Sequence, residues 1–365
     1  SELMGVSHYL EHMMFKGTDE LDADAINRGF DDLGASNNAF TSREMTCFYA
    51  HTLPEGLGSA TELLSAMMRP ALRDSDFDTE KNVIIEEIAM YADNPFWVLY
   101  EETTARRYGQ APLGHRVLGT KDTITALQRD QMHAYFRERY ASDAMIVAFA
   151  GRVNFERSLE QVRSLCGGWK ATGVSREHTL PPRASGAFEL RDPRVNRGYL
   201  IGVSDAPAVG SEHRHAAALL AQILGGEDNS RLHWALIETG LAEEAQAAYD
   251  GMDRHGEFFV YASGDPERLG DIEEIMRREI SNLRDSLVED DLARLRSKAI
   301  TGMTLAGERP AGRMMRLGRT WTMLGRYTTL DEELASLSKV TLDDLKSVCD
   351  GFPFDNWLLG TMRPA

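Results

Sequence analysis

The second half of the chain repeats the first, and no other feature constrains the fold as strongly. Pro54-Glu55-Gly56-Leu57-Gly58 is echoed by Pro266-Glu267-Arg268-Leu269-Gly270, and Leu72-Arg73-Asp74-Ser75 recurs as Leu283-Arg284-Asp285-Ser286. The matches lie at offsets of 212 and 211 residues, one alignment with a single-residue slip. The flanking patterns agree too: strand, helix, turn, helix. In a chain of 365 residues this predicts two domains of ordinary size built on one plan. Thr172-Gly173, Pro181-Pro182 and Ser185-Gly186 make Trp169 to Gly186 the best linker signal. The expected fold is α+β: two similar α/β domains, each a sheet packed with helices, related by internal duplication. Their boundaries are read as 1–172 and 190–365, with 173–189 as linker.

Local patterns fill in the first domain. Gly5 to Phe15 has helical apolar spacing with Ser7 as a candidate N-cap, and Asp24 to Leu33 is a second helix ended by Gly34. Ala39 to Leu53 is rich in Thr, Phe, Tyr and Cys and reads as a strand or hairpin. Leu57 to Met68 and Asp76 to Tyr91 are helical, the second stopping before Asn94-Pro95. Ala144 to Ala150 is a short apolar run that predicts a buried strand, and Phe155 to Cys166 is amphipathic.

Composition narrows the function. Forty Lys plus Arg stand against 57 Asp plus Glu, a formal charge of −17. That balance argues against a nucleic-acid partner, which needs clustered cations. No apolar run approaches the about 20 residues of a membrane span. Three widely separated cysteines, Cys47, Cys166 and Cys349, suggest neither a disulfide framework nor a cysteine zinc site. They fit a reducing, cytoplasmic compartment, with a targeting segment ahead of Ser1 left open.

The sharpest chemical signal is His8-Tyr9-Leu10-Glu11-His12. Residues i and i+4 share a helix face, so two imidazoles can grip one ion, and Glu11 on that face can take a proton from an activated water. The order H-x-x-E-H is the inverted form of the common zinc-peptidase motif. A third protein ligand is still required. On the pentapeptide alone, a polar helix face carrying two His and a Glu by coincidence stays open. The Asp76 to Tyr91 helix supplies Glu80, Glu86 and Glu87. Glu80 and Glu87 stand two helical turns apart on one face, whereas Glu86 points about 100° away toward solvent. A solvated acidic helix is the competing explanation for these carboxylates.

Together these residues resemble the pitrilysin and insulinase zinc metallopeptidases, which include the mitochondrial processing peptidases. His8-Tyr9-Leu10-Glu11-His12-Met13-Met14-Phe15-Lys16-Gly17-Thr18 is similar to that family's motif helix and its exit, and 74 residues separate His12 from Glu87, close to the family spacing. The resemblance implies a half-size member forming one half of a clamshell. It implies Zn2+ held by His8, His12 and Glu87, with Glu11 as general base and Glu80 as a supporting carboxylate. Leu33 to Thr41 is similar to the family's substrate-binding edge strand, which implies that Asn38 and Ala39 contact the backbone of a peptide or unfolded polypeptide. The second domain lacks the metal motif: Leu220 to Leu224 stands roughly where Leu10 to Met14 would fall, and Lys298 falls opposite Glu87 at the 211 offset. That matches the family pattern of one active and one inactive half.

Two departures carry expectations of their own. The family has strands ahead of the motif helix, so a first domain without them is expected to bury its sheet poorly. An Arg and a Tyr assist substrate binding in many inactive halves, but Ile237 and Glu243 occupy those places here. A homodimer, or a heterodimer with a related subunit, would supply the missing donors. The resulting reading is a zinc-dependent metallopeptidase. Its rival is a non-catalytic subunit of the same fold, acting in assembly or substrate binding.

Overall fold

The computed structural model describes residues 2–175 and 183–365. The chain divides into two compact units. One holds the chain up to Tyr91 and again from His115 to residue 175; the other holds Ala92–Gly114 and residues 183–365. In chain order the helices and strands begin with α1 (Val6–Met14), α2 (Ala23–Asp32), the hairpin β1 (Ser36–Thr41) and β2 (Thr46–His51), α3 (Leu57–Met67) and α4 (Asp74–Tyr91). Helix α5 (Pro95–Tyr108) packs with the second unit, and α6 (Lys121–Ala126), α7 (Arg129–Arg139) and α8 (Phe155–Cys166) complete the first. The second unit continues with β3 (Gly186–Arg191), β4 (Gly198–Asp205), α9 (Arg214–Gly225), β5 (Ala242–Met252), β6 (His255–Gly264), α10 (Leu269–Leu283) and α11 (Glu289–Glu308). It ends with α12 (Pro310–Leu324), α13 (Leu330–Ser338), α14 (Leu342–Gly351) and β7 (Leu358–Arg363). Part of the expected linker, 176–182, lies outside the described residues, and its last residues belong to β3.

In the first unit, α1 is the buried element. Tyr9, Leu10, Met13 and Met14 are fully enclosed and pack with Leu72, just ahead of α4, and with Phe77 and Ile84 of α4. Burying such side chains stabilises by roughly 1.5–3 kcal/mol each, which fixes α1 against α4. Ser7 does not cap this helix. Gly5 holds the N-cap position with φ 93°, and a Cβ there would meet the Leu118 carbonyl oxygen at 2.6 Å. Only glycine fits both the left-handed backbone and that approach. The Ser7 hydroxyl is instead 2.6 Å from the Tyr135 hydroxyl. Helix α4 buries Phe77, Glu80 and Ile84 and exposes Glu86, as its face pattern predicts.

The second unit carries a five-stranded sheet in the order β3-β7-β4-β6-β5, antiparallel except for the β3–β7 pair. Alternate residues of its strands face opposite sides. Leu200, Phe258 and Val260 join Leu220, Leu224, Ile272 and Met276 in the main core, whereas Ile201, Tyr261 and Met362 meet Leu99 of α5.

The internal duplication is visible in element order. α1, β1–β2, α3 and α4 are matched by α9, β5–β6, α10 and α11, and α9 packs on α11 as α1 packs on α4. One expected strand is missing. Residues 145–150 correspond to β7, yet they form no strand. Strand β7 has β3 and β4 to pair with, while 145–150 has no ladder partner among the described residues. The backbone at Met145 is extended (φ −115°, ψ 144°), but Ile146 and Val147 are 45% and 56% exposed rather than buried. An apolar run becomes a buried strand only when a neighbour satisfies its backbone groups. Among the described residues, no helix is long and apolar enough to cross a membrane.

Candidate metal centre

Helices α1 and α4 bring together the three residues that the sequence separates. His8, His12 and Glu87 each offer one ligand atom, and these atoms all lie within 4.8 Å of one another. His8 Nε2 is 3.7 Å and His12 Nε2 is 3.6 Å from Glu87 Oε2. The two imidazoles stand 4.6 Å apart, centroid to centroid, at an interplanar angle of 62°. The i, i+4 spacing stacks the rings on one face of α1, and packing of α1 on α4 sets Glu87 opposite them.

A metal ion fits this donor set. Two imidazole nitrogens and one carboxylate oxygen are the three-ligand pattern of catalytic zinc sites. Glu87 Oε2 is buried and has no hydrogen-bond partner among the described residues. A buried carboxylate oxygen left in that state is costly unless a cation completes its surroundings.

Electrostatics prepare the two rings differently. Burial, with a smaller contribution from the nearby His12 charge, lowers the His8 pKa to about 4, so His8 is neutral with a free lone pair at neutral pH. Burial also opposes charge on His12, but the hydrogen bond and charge of Glu80, together with Glu87 and Glu11, outweigh it and raise its pKa. Glu80 Oε1 lies 2.8 Å from His12 Nδ1, which assigns the proton to Nδ1 and leaves Nε2 facing Glu87. Glu80 is itself only 4% exposed. Burial alone would raise its pKa, but His12 and the Lys16 ammonium, 2.5 Å from Oε2, hold the carboxylate below its usual range.

Glu11 is buried on the same helix, 8% exposed. Burial raises its pKa, against the opposing effects of a Thr41 hydrogen bond and the His12 charge. The Thr41 hydroxyl donates to Glu11 Oε2 at 2.5 Å. Asn38 and Ala39 sit on β1, whose other edge has no strand partner among the described residues. Asn38 is exposed, and its Oδ1 accepts from the Ala39 N–H at 2.8 Å.

Lys16 and Thr41 are the participants that sequence reasoning passed over. Both stand inside the motif runs, but nothing in spacing alone aims their side chains at Glu80 and Glu11. In the second unit, the position opposite Glu87 is Lys298, which pairs with Glu227 at 3.0 Å on the surface. Ile237 ends a single π turn, and Glu243 forms an ion pair with Arg197 at 2.6 Å.

Two family models match successive parts of the chain. Residues 1–121 match the family described as insulinase (peptidase family M16), and residues 126–299 match the peptidase M16 inactive domain. A protein of Streptomyces coelicolor named as an uncharacterized zinc protease is 32% identical over 360 residues, covering 95% of this chain and 78% of that protein. A Bacillus subtilis protein named in the same way is 28% identical over 371 residues, covering 100% of this chain and 89% of the relative. Among solved structures, a protease from Helicobacter pylori superposes with a TM-score of 0.90 at 19% identity, covering 99% of this chain and 90% of that one. A peptidase M16 inactive domain from Pseudomonas fluorescens gives a TM-score of 0.87 at 19% identity, with 99% and 88% covered. At that identity the structural likeness speaks to the fold.

Proposed function

The chain belongs to the insulinase family of peptidases, M16, and from that premise we propose that it is a zinc-dependent metallopeptidase hydrolysing peptide bonds in short or unfolded polypeptides. One observation carries this reading: three ligand atoms converge beside a buried carboxylate, Glu11, that neighbours a ligand in sequence. His8 and His12 would hold the ion through Nε2, and Glu87 through Oε2. Bound there, zinc supplies a Lewis acid for the scissile carbonyl and the attacking water. Glu11 accepts the proton of that water at Oε1, the oxygen not engaged by Thr41, and returns it to the leaving amine. Glu80 holds the His12 ring in orientation through Nδ1. An extended substrate segment would add to the open edge of β1 along Asn38 and Ala39, displacing the Asn38 side chain from the Ala39 N–H.

The reading places catalysis in the first unit alone, since the matching positions of the second hold no ligands. It also pairs the chain with a second copy or a related subunit, because neither Ile237 nor Glu243 can donate a hydrogen bond to a peptide carbonyl. The test is zinc content per chain alongside hydrolysis of an unstructured peptide, for the native sequence and for Glu11→Gln. The variant should retain zinc and lose about 10²–10⁴-fold in rate, the usual share of general-base catalysis. Near-normal turnover by Glu11→Gln would remove the assigned base, and a zinc-loaded chain with no hydrolysis would remove the peptidase.

A further inference from the structure

We infer that the Thr41 hydroxyl is a positioning group for the base: it pins one oxygen of Glu11 and leaves the other as the proton acceptor. The inference rests on the peptidase reading above and adds to it a residue outside the metal ligands. Thr41 and Thr46 are the last paired residues of the β1–β2 hairpin, just before its turn, where the Ser42 N–H bonds to the Met45 carbonyl. The pleat turns Thr41 inward while Phe40 faces out, 39% exposed. A hydroxyl owns a single proton. The Glu11 carboxylate is acceptor-only when ionised, so the 2.5 Å contact commits the Thr41 proton to Oε2.

That commitment orders what lies behind it. Thr46 Oγ1 is 3.1 Å from Thr41 Oγ1 and must donate to it, because the Thr41 proton is already spent. Hydroxyls in such a line polarise one another toward the anion at its end. Glu11 Oε2 is thereby tethered to the hairpin, whereas Oε1 has no hydrogen-bond partner among the described residues. A base held in one rotamer meets the attacking water without a search, which is the kind of geometric fixing that lowers a barrier. Because Thr41 shares β1 with Asn38 and Ala39, a peptide docking on that strand would meet a base already aligned.

The experiment uses the full chain loaded with zinc and an unstructured peptide, comparing Thr41→Val, which keeps the shape and loses the hydroxyl, with Thr41→Ser, which keeps the hydroxyl. Thr41→Val should lower kcat about tenfold or more with KM and zinc content little changed, and Thr41→Ser should stay within about threefold of the parent. A second readout needs no activity. In metal-free protein, Thr41→Val should lower the melting temperature by a few degrees, and this shift should largely vanish when Glu11 is already Ala. Parent-like kcat in Thr41→Val, or a Thr41→Ser variant as slow as Thr41→Val, would overturn the inference, as would equal melting shifts in both backgrounds. A parent chain that fails to hydrolyse peptide while keeping the melting coupling would sink the peptidase reading and leave the Thr41–Glu11 contact standing.

Discussion

Glu80→Gln isolates what the carboxylate behind His12 contributes to metal binding. Glu80 is 4% exposed and serves two partners at once, His12 Nδ1 at 2.8 Å and Lys16 Nζ at 2.5 Å. Glutamine keeps the shape but has one acceptor oxygen, so it can satisfy only one of the two donors, and it carries no charge to strengthen the His12 ring as a ligand. Loss of such an outer partner typically weakens metal binding about 10–100-fold, or roughly 1.4–2.7 kcal/mol. The cost to the metal-free fold should be smaller. The Lys16 side chain is 35% exposed and can turn its ammonium into water, so the broken pair is worth about 0–1 kcal/mol. One effect works the other way. Burial lowers the His12 pKa, but Glu80 is the first of the groups that raise it, so in the parent chain protons compete with zinc for this ring. Competition titration against a chromophoric chelator in mildly alkaline buffer removes that term and reads the ligand effect alone. The melting temperature of metal-free protein, taken in parallel, separates affinity from stability. Unchanged zinc affinity in a folded Glu80→Gln chain would refute the argument.

Two further outcomes follow from other parts of the molecule. The His215 imidazole, its Nε2 3.1 Å from Oε2, and the Arg214 guanidinium hold Glu333 near a pKa of about 2, against burial, from an ordinary value of 4.5. A depressed carboxylate stabilises the fold above its unfolded pKa and loses that contribution as pH falls toward the folded one. Roughly 3 kcal/mol should therefore disappear between about pH 4.5 and pH 2 in urea unfolding, and a Glu333→Gln chain with an equally steep acid limb would contradict this. If a partner completes the substrate site, specific activity per chain should fall on dilution as light scattering reports dissociation, and full activity in a strictly monomeric preparation would exclude it.

Which faces His8, His12 and Glu87 occupy was legible in the sequence because helical geometry is local; grouping them as one set of ligands came from the family resemblance, and their convergence comes from the packing of α1 on α4. Helical periodicity alone puts His8 and His12 on one face, and it puts Glu80 and Glu87 on another while turning Glu86 to water. The duplication was equally legible, since two short identities at nearly one offset fix the order of elements in both halves. Three things were decided only by tertiary packing. Residues 145–150 had the composition of a strand, but a strand exists only with a neighbour, and the pairing that β7 finds in β3 and β4 has no counterpart there. Helix α5 follows α4 in the chain yet packs on the sheet of the second unit, where Leu99 meets Ile201 and Met362. Lys16 and Thr41 stood in plain view inside the motifs, but their roles depend on where two separate elements aim one ammonium and one hydroxyl. Periodicity determines which face a side chain occupies, whereas its partner is set by what packs against that face.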